Sequence, residues 1–118
     1  MSEQIKPDLI LPLNRKWFAK IWNGEKNIEY REVKPYWTRR IGSWTVEREV
    51  KFVMFQIGYA KDGPRLLVQV LKVDVGECPY EGWDGMYYRI QFEIVQPYLK
   101  QDGVYTPMLS MPKMKELK

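Results

Sequence analysis

The sequence predicts an α+β domain, in which a small, curled, mostly antiparallel β-barrel is covered by an N-terminal helix and a short second helix. About five segments have strand patterns and only two have helical ones. One strand also changes the phase of its apolar alternation halfway, which indicates a bulge or bend of the kind that curls a sheet. With 118 residues the chain has the length of one domain with an ordinary core.

A first strand and the N-terminal helix are predicted at the start of this domain. The apolar run "DLILPL" (8–13) predicts a short first strand that is closed by a proline. Asn14 is a suitable N-cap for the helix that follows, and Gly24 is a suitable C-terminal stop. One apolar stripe, interpreted as core packing, runs along this helix and consists of Trp17, Phe18, Ile21 and Trp22.

The next two elements carry most of the candidate site. In "KNIEYREV" the alternation is that of a half-buried strand, which puts Glu29 and Arg31 on one face. In "KPYWTRRIGSW" the proline suits a first helical position, so a short helix ending at Gly42 is predicted. Its polar and aromatic side chains are Tyr36, Trp37, Arg39 and Arg40.

The remaining elements are strands. "KFVMFQIG" (51–58) is nearly all apolar and predicts a central strand buried on both faces, joined through Asp62-Gly63 to its hairpin partner "RLLVQVLKVDVG". In that partner the apolar phase changes after Val70. "MYYRIQFEIV" alternates with Tyr88, Ile90, Phe92 and Ile94 inward. We therefore expect an N-terminal tail at 1–7, one domain at 8–100 and a C-terminal tail at 101–118.

The composition excludes several chemistries. The chain has no histidine and one cysteine, so neither an imidazole-dependent triad nor a Cys/His zinc site can be built. Asp62, Asp74 and Asp84 are too scattered to indicate a magnesium site, and no metal or cofactor is expected. Cys78, which precedes a proline, is interpreted as an inert loop thiol; as a nucleophile it would need activation by basic neighbours.

The net charge of +4 and the pI near 9.1 are compatible with a polyanionic partner. The excess lies between residues 14 and 40, where eight lysines and arginines face three glutamates: Arg15, Lys16, Lys20, Lys26, Arg31, Lys34, Arg39 and Arg40 against Glu25, Glu29 and Glu32. No apolar run approaches the length of a bilayer span, and the N-terminus lacks the pattern of a secretory signal. A cytoplasmic protein without a membrane partner is expected.

The order of these pieces resembles the ASCH family, the activating-signal-cointegrator homology domains, in its small phage and bacterial form. The resemblance rests on Gly24, Lys26, Glu29 and Arg31 after the helix, on "PYWTRRI", and on the later hairpin "FQIGYAKDGPRLLVQV". It covers roughly residues 8 to 96. It implies a PUA-like barrel with a cleft suited to a nucleobase or an RNA strand. Some small members of this family hydrolyse acetylated cytidine, and others are described as cleaving RNA.

The primary hypothesis is therefore a module that binds RNA, single-stranded nucleic acid or a modified nucleobase or nucleoside. A carboxylate can accept from base amino groups, cations can meet phosphate, and aromatic faces stack on unpaired bases. Its predicted contacts are Lys26, Glu29, Arg31, Tyr36, Trp37, Arg39 and Arg40. Each group also has a structural alternative: a cross-strand pair for Glu29 and Arg31, packing for the two aromatics, and a solvated helix face for the last two arginines.

A small hydrolase acting on a modified nucleoside or on RNA is the alternative, with Lys26 and Glu29 as candidate catalytic residues. In the family members that act on acetylated cytidine, the catalytic set is a lysine, a threonine and a glutamate on a later strand. This sequence keeps Lys26 but has Glu29 in place of the threonine and Gln69 at the later position. Strict alternation also keeps Lys26 out of the cleft unless the strand begins after it. A protein-interaction domain is the third possibility.

Overall fold

The structure of the chain is a computed structural model that describes residues 5–58 and 61–114. Six strands form one mixed sheet that is accompanied by two helices, so the α+β class is confirmed. The strands are β1 (Leu9–Leu13), β2 (Ile28–Glu32), β3 (Lys51–Ile57), β4 (Arg65–Glu77), β5 (Met86–Gln101) and β6 (Val104–Pro107). The helices are α1 (Arg15–Trp22) and α2 (Pro35–Ile41), the latter followed by a 3₁₀ turn at Gly42–Thr45.

The strands are ordered β1-β3-β4-β5-β2, with β6 added beside β5. β1 is parallel to β3, and the other pairs are antiparallel. Among the described residues β1 and β2 do not pair as strands, so the predicted closed barrel is not confirmed. Pro12 gives one physical reason, because it has no N–H to donate from β1. A side chain crosses the gap here: Arg31 Nη2 donates to the carbonyl oxygen of Pro12 at 3.2 Å.

The predicted bend in the second hairpin strand is confirmed. The pairing of β4 with β5 shifts register between Leu67 and Val68 and again between Val70 and Lys72. Leu71, which lies within the second shift, is 57% exposed, whereas Val73 beyond it is buried. The core enclosed by this bent sheet and α1 includes Leu11, Phe18, Ile21, Ile41, Val53, Phe55, Leu66, Val68, Ile90 and Phe92.

The start and end of α1 agree with the sequence prediction. The Asn14 side chain accepts from the backbone N–H of Trp17 at 2.9 Å, and Gly24 has the positive φ of 78° that favours glycine after a helix. Phe18, Ile21 and Trp22 are buried as predicted. Trp17 was predicted to pack in the core with them, but it is only half-buried, because it lies in the first turn and faces away from the centre of the sheet toward a loop.

Two predictions about burial in the strands were wrong. β3 is central in the sheet, but only Val53, Phe55 and Ile57 are buried, while alternate residues are half-buried. When a mixed sheet has few helices beside it, one of its faces is covered more fully than the other. Ile94 was predicted to point inward but is 36% exposed, and it lies at the first register shift between β4 and β5.

The segment predicted as a C-terminal tail is largely part of the fold. β5 continues to Gln101, and a turn with positive φ at Asp102 (50°) and Gly103 (78°) leads into β6. The chain then packs on the end of α1, where Trp22 Nε1 donates to the carbonyl oxygen of Pro112 at 2.8 Å. β6 was not predicted, because this Asp-Gly hairpin signal was not used. Residues 1–4 and 115–118 of the predicted tails lie outside the described residues.

Candidate functional site

A buried carboxylate held by two cations is the centre of the candidate site. Lys26 Nζ donates to Glu29 Oε1 at 2.6 Å, and Arg31 Nη2 donates to Glu29 Oε2 at 2.7 Å. The three side chains are only 6%, 7% and 15% exposed, in the order Lys26, Glu29, Arg31. Lys26 reaches Glu29 because β2 begins at Ile28, after the lysine, so strand alternation does not apply to it. The short motif thus forms one connected cluster.

Aromatic rings surround the ammonium group of Lys26. Its Nζ lies 4.5 Å from the ring centre of Trp17, 5.6 Å from that of Tyr80 and 5.9 Å from that of Tyr30. Such contacts are worth about 2 kcal/mol or more when the cation is desolvated. Together with the bond to Glu29 they hold Lys26 in place and fix the direction of the carboxylate.

Glu29 and Arg31 line a cavity of about 290 Å³ between the end of β1 and the edge strand β2. Five of the lining residues are aromatic, and Lys26 lies behind Glu29 outside the lining. The lining comprises Pro12, Leu13, Asn14, Trp17, Glu29, Tyr30, Arg31, Glu32, Trp37, Trp83 and Tyr87. A polar floor under aromatic walls is the usual composition of a site that takes a flat ligand with a few polar edges.

The aromatic walls are held by contacts among themselves. Trp17 stacks on Tyr80 with ring centres 4.9 Å apart, and Trp83 meets both rings edge-on, at 6.2 Å from Trp17 and 5.6 Å from Tyr80. Tyr87 lies 5.7 Å from Trp83. Such pairs are worth about 0.5 to 1.5 kcal/mol each beyond the area they bury. The walls therefore keep their shape without a ligand.

Burial affects the two tyrosines beside Lys26. It is the main cause that raises the pKa of Tyr30 and of Tyr80 above the ordinary value of 10.0, and the nearby Cys78 raises both pKa values further. Both hydroxyls therefore stay protonated at neutral pH, so neither tyrosine adds a negative charge beside Glu29.

Arg31 connects the floor of the cavity to α2. Its guanidinium lies 4.8 Å from the ring centre of Trp37. Its Nη2 donates both to Glu29 and to Pro12. Its Nε is buried without a hydrogen-bond partner in the part of the chain that the structure describes. Arg31 therefore has a buried N–H donor that no described residue accepts from.

The remaining predicted residues lie on the outer side of α2. Tyr36 is 47% exposed, and the Arg40 guanidinium lies 3.5 Å from its ring centre. Arg40 Nη1 also donates to the carbonyl oxygen of Tyr36 at 2.8 Å, and Arg39 is exposed. The structure therefore brings together Lys26, Glu29, Arg31 and Trp37, whereas Tyr36, Arg39 and Arg40 do not line the cavity.

The structural alternative for Glu29 and Arg31 can be compared directly with the pairing. Glu29 lies opposite Ile90 and Arg31 opposite Tyr88 on β5, so neither has an opposite charge across the strand pair. Their partners are each other and Lys26.

Sequence reasoning missed five aromatic residues of the site: Trp17, Tyr30, Tyr80, Trp83 and Tyr87. Trp17 was assigned to the core because site and core aromatics on a helix share the same periodicity. Tyr80 and Trp83 belong to the loop "CPYEGWDG", and two large aromatics in a short glycine-containing loop were the available signal.

A larger cavity of about 930 Å³ lies elsewhere, between residues 44–51 and the β4 stretch at 69–75. Gln69 lines that cavity rather than the one at Glu29, so it is not placed to act with Lys26. Its exposed apolar residues include Val46 and Leu71. We regard the smaller cavity as the candidate site because it contains the buried carboxylate.

Within residues 5–58 and 61–114, no group of three or more Cys, Asp or Glu residues is arranged to hold a metal ion. The same residues contain no helix with the length and apolar character needed to cross a bilayer. No family model, no curated protein and no solved structure matches the chain.

Proposed function

We propose that this chain is a cytoplasmic binding module for single-stranded RNA that holds one unstacked base in the cavity beside Glu29. We also propose that it is an ASCH domain of the small phage and bacterial type. The observation that carries the proposal is the buried carboxylate of Glu29, fixed between Lys26 and Arg31 beneath five aromatic lining residues. A charged acceptor at the floor and stacking faces on the walls complement an unpaired base.

The size of the cavity supports a single base rather than a longer ligand. Its volume of about 290 Å³ is at the lower end of the range of about 300 to 1,000 Å³ found for small-molecule sites. Stacking on aromatic side chains is worth about 1 to 3 kcal/mol per base. Duplex RNA hides its base edges, so the proposal requires a single strand.

The phosphate backbone would continue along α2. Trp37 lines the cavity from this helix, and Arg39 and Arg40 follow it within one turn on the exposed side. These two arginines are thus assigned to phosphate contacts and Trp37 to base stacking, while Lys26 positions Glu29 from behind.

A closed PUA-like barrel is part of the same proposal. The two register shifts in β4 bend the sheet, and the Arg31 side chain spans the gap from β2 to β1. Closure along this gap would put the base at the seam of the barrel, with Arg31 as a structural bridge as well as a contact.

Binding is favoured over hydrolysis by the groups around the cavity. Both oxygens of Glu29 accept from cations, and Lys26 Nζ is buried in that pair rather than directed at a ligand. Among the described residues that line the cavity there is no serine, threonine or cysteine to act as a nucleophile. The Lys26–Glu29 contact nevertheless keeps a hydrolase as the second candidate, with Glu29 as the general base.

Titration of the intrinsic tryptophan fluorescence tests the binding proposal, since Trp17, Trp37 and Trp83 line the cavity. Single-stranded RNA should quench the fluorescence more strongly than single-stranded DNA or duplex RNA of the same length. Arg39→Ala/Arg40→Ala should weaken the binding of RNA. Lys61→Ala/Lys113→Ala, which removes two exposed cations outside the lining, should not. If the chain binds neither single-stranded RNA, single-stranded DNA nor duplex RNA at low salt, the proposal is rejected.

The hydrolase candidate is tested in the same samples by separating the RNA on a gel and by offering acetylated cytidine. If wild type forms products and a folded Glu29→Gln variant does not, the hydrolase proposal would replace the binding proposal. Unchanged substrate in both proteins is the result expected here.

A further inference from the structure

We propose that the base held at Glu29 is guanine, recognised along its Watson–Crick edge. This inference rests on the proposed function, because it presupposes that a base enters the cavity. It is carried by the order of donors and acceptors at the floor, which fits guanine better than the other three bases.

Glu29 offers two adjacent acceptors. A carboxylate has about four lone-pair sites, and one on each oxygen of Glu29 is used, by Lys26 and by Arg31. One acceptor site therefore remains on each oxygen. Guanine presents two neighbouring donors, the N1–H and the exocyclic amino group, so its edge can pair with both oxygens at once.

The other bases place an acceptor where Glu29 also has one. Adenine has N1 beside its amino group, cytosine has N3 beside its amino group, and uracil has a carbonyl oxygen on each side of N3–H. One of the two carboxylate oxygens would then face a lone pair of the base instead of a donor. A charged oxygen that faces a lone pair at a site buried to this degree is unfavourable.

Arg31 supplies the third position of the pattern. It lines the cavity on the Oε2 side of Glu29, and the two H atoms of its Nη2 go to Glu29 and Pro12. The guanidinium has five N–H donors in all, so donors remain. The edge of guanine continues from N1–H to the O6 acceptor, which Arg31 can meet. From Arg31 across the two oxygens of Glu29, the floor presents a donor, an acceptor and an acceptor. From O6 through N1–H to the amino group, guanine presents the complementary acceptor, donor and donor.

The carboxylate is also held before any ligand arrives. Lys26 is 6% exposed and is fixed by Trp17, Tyr30 and Tyr80, so Glu29 Oε1 cannot swing away without leaving a buried ammonium unpaired. Such preorganisation lowers the entropy that binding must overcome. Stacking on the walls adds affinity for any base, so the edge contacts decide the choice among bases.

The test uses the full chain and uridine hexamers that carry a single guanosine, inosine, 1-methylguanosine, adenosine or cytidine at one central position. The guanosine hexamer should bind most tightly. Inosine lacks the exocyclic amino group and should bind roughly tenfold or more weakly, because one hydrogen bond to a charged acceptor is lost. Methylation of N1 removes the other donor and should abolish the preference.

The substitution Glu29→Gln tests the assignment of guanine by changing the protein instead of the RNA. The amide replaces one of the two acceptors by a donor, so guanine loses one of its two partners at the floor and the preference for the guanosine hexamer should disappear. Glu93→Gln, at an exposed position of β5, should keep the preference for guanosine. Circular dichroism shows whether each variant is folded, and the inosine comparison on wild type decides the matter if Glu29→Gln does not fold.

The outcomes separate the two proposals. If all the hexamers bind wild type equally, or inosine binds as well as guanosine, guanine recognition is rejected while base binding stands. If no hexamer binds at low salt, both proposals fail.

Discussion

Glu29 is a carboxylate in a position that would be unfavourable for an isolated charge. Burial of an unpaired charge costs several kcal/mol, and pairing compensates only where the geometry is good. Both oxygens of Glu29 have a cation within 2.7 Å, and the lysine partner is itself stabilised by aromatic rings. The cluster is therefore a set of side chains that depend on one another.

Lys26→Met removes one partner and keeps an unbranched chain of similar length against the aromatic rings. Glu29 Oε1 then loses its hydrogen bond in a buried place, so the free energy of unfolding should fall by about 1 to 3 kcal/mol. Urea denaturation followed by circular dichroism measures this change.

Lys34→Met is the matched control for that experiment. Lys34 pairs with Glu32 at 3.3 Å, but the two side chains are 50% and 66% exposed. The free energy of unfolding of Lys34→Met should differ from that of wild type by no more than about 0.5 kcal/mol. Equal losses in the two variants would show that the Lys26–Glu29 pair has no special role.

The spacing of Lys26, Glu29 and Arg31 was enough to predict that these residues act together. Which face of the helix Trp17 occupied could not be predicted, because the sequence pattern does not distinguish an aromatic in the core from one on a cavity wall. The contributions of Trp83 and Tyr87 depend on contacts between a loop and β5, which only the fold brings close.

The long strands β4 and β5 are also joined outside the site. Arg89 donates to both oxygens of Asp74, at 2.7 and 2.9 Å, across the strand pair. Gly76 allows this arrangement, since a Cβ at that position would collide with the Arg89 guanidinium. The hydrogen bonds from Arg89 are the main cause that lowers the pKa of the Asp74 carboxyl below its ordinary value of 3.8.

Stability should depend on pH through Asp74. Because its pKa is lower in the folded chain, its contribution is present above pH 3.8 and is lost as the pH falls through the lowered pKa. Asp74→Asn should thus be less stable than wild type at pH 7, and the difference should shrink as the pH falls below 3.8. Urea denaturation at several pH values measures it.

Glu93→Gln, exposed on the neighbouring β5, serves as the control and should match wild type within about 0.5 kcal/mol at pH 7. A difference between Asp74→Asn and wild type that grows as the pH falls would contradict the assigned direction.

Most elements could be predicted because their signals are local. Asn14 caps α1, Pro35 begins α2, and the phase change after Val70 marks the bulge in β4. β6 was missed although Asp102-Gly103 is a hairpin signal, since the two prolines after it suggested irregular chain. Closure of the sheet could not be predicted, because it depends on whether distant β1 and β2 approach each other.

The charge of the chain as a whole has a measurable consequence if the partner is RNA. With a net charge of +4 and exposed arginines on α2, binding should release counterions from phosphates, and affinity should fall as salt rises. For single strands each phosphate contact adds about 0.7 to the slope of log K against log salt. Arg39→Ala/Arg40→Ala should therefore reduce the slope by about 1.4. An unchanged slope would remove these residues from the phosphate path.

The position of the ligand is the central claim, and the side-chain N–H signals of the five tryptophans test it most directly. Trp17, Trp37 and Trp83 line the cavity, whereas Trp22 and Trp44 do not. In ¹H–¹⁵N NMR spectra, assigned with single Trp→Phe variants, the hexamer with one guanosine should shift the first three signals and leave the other two in place. Shifts confined to Trp22 and Trp44, or no shifts at saturating RNA, would contradict a base site at Glu29.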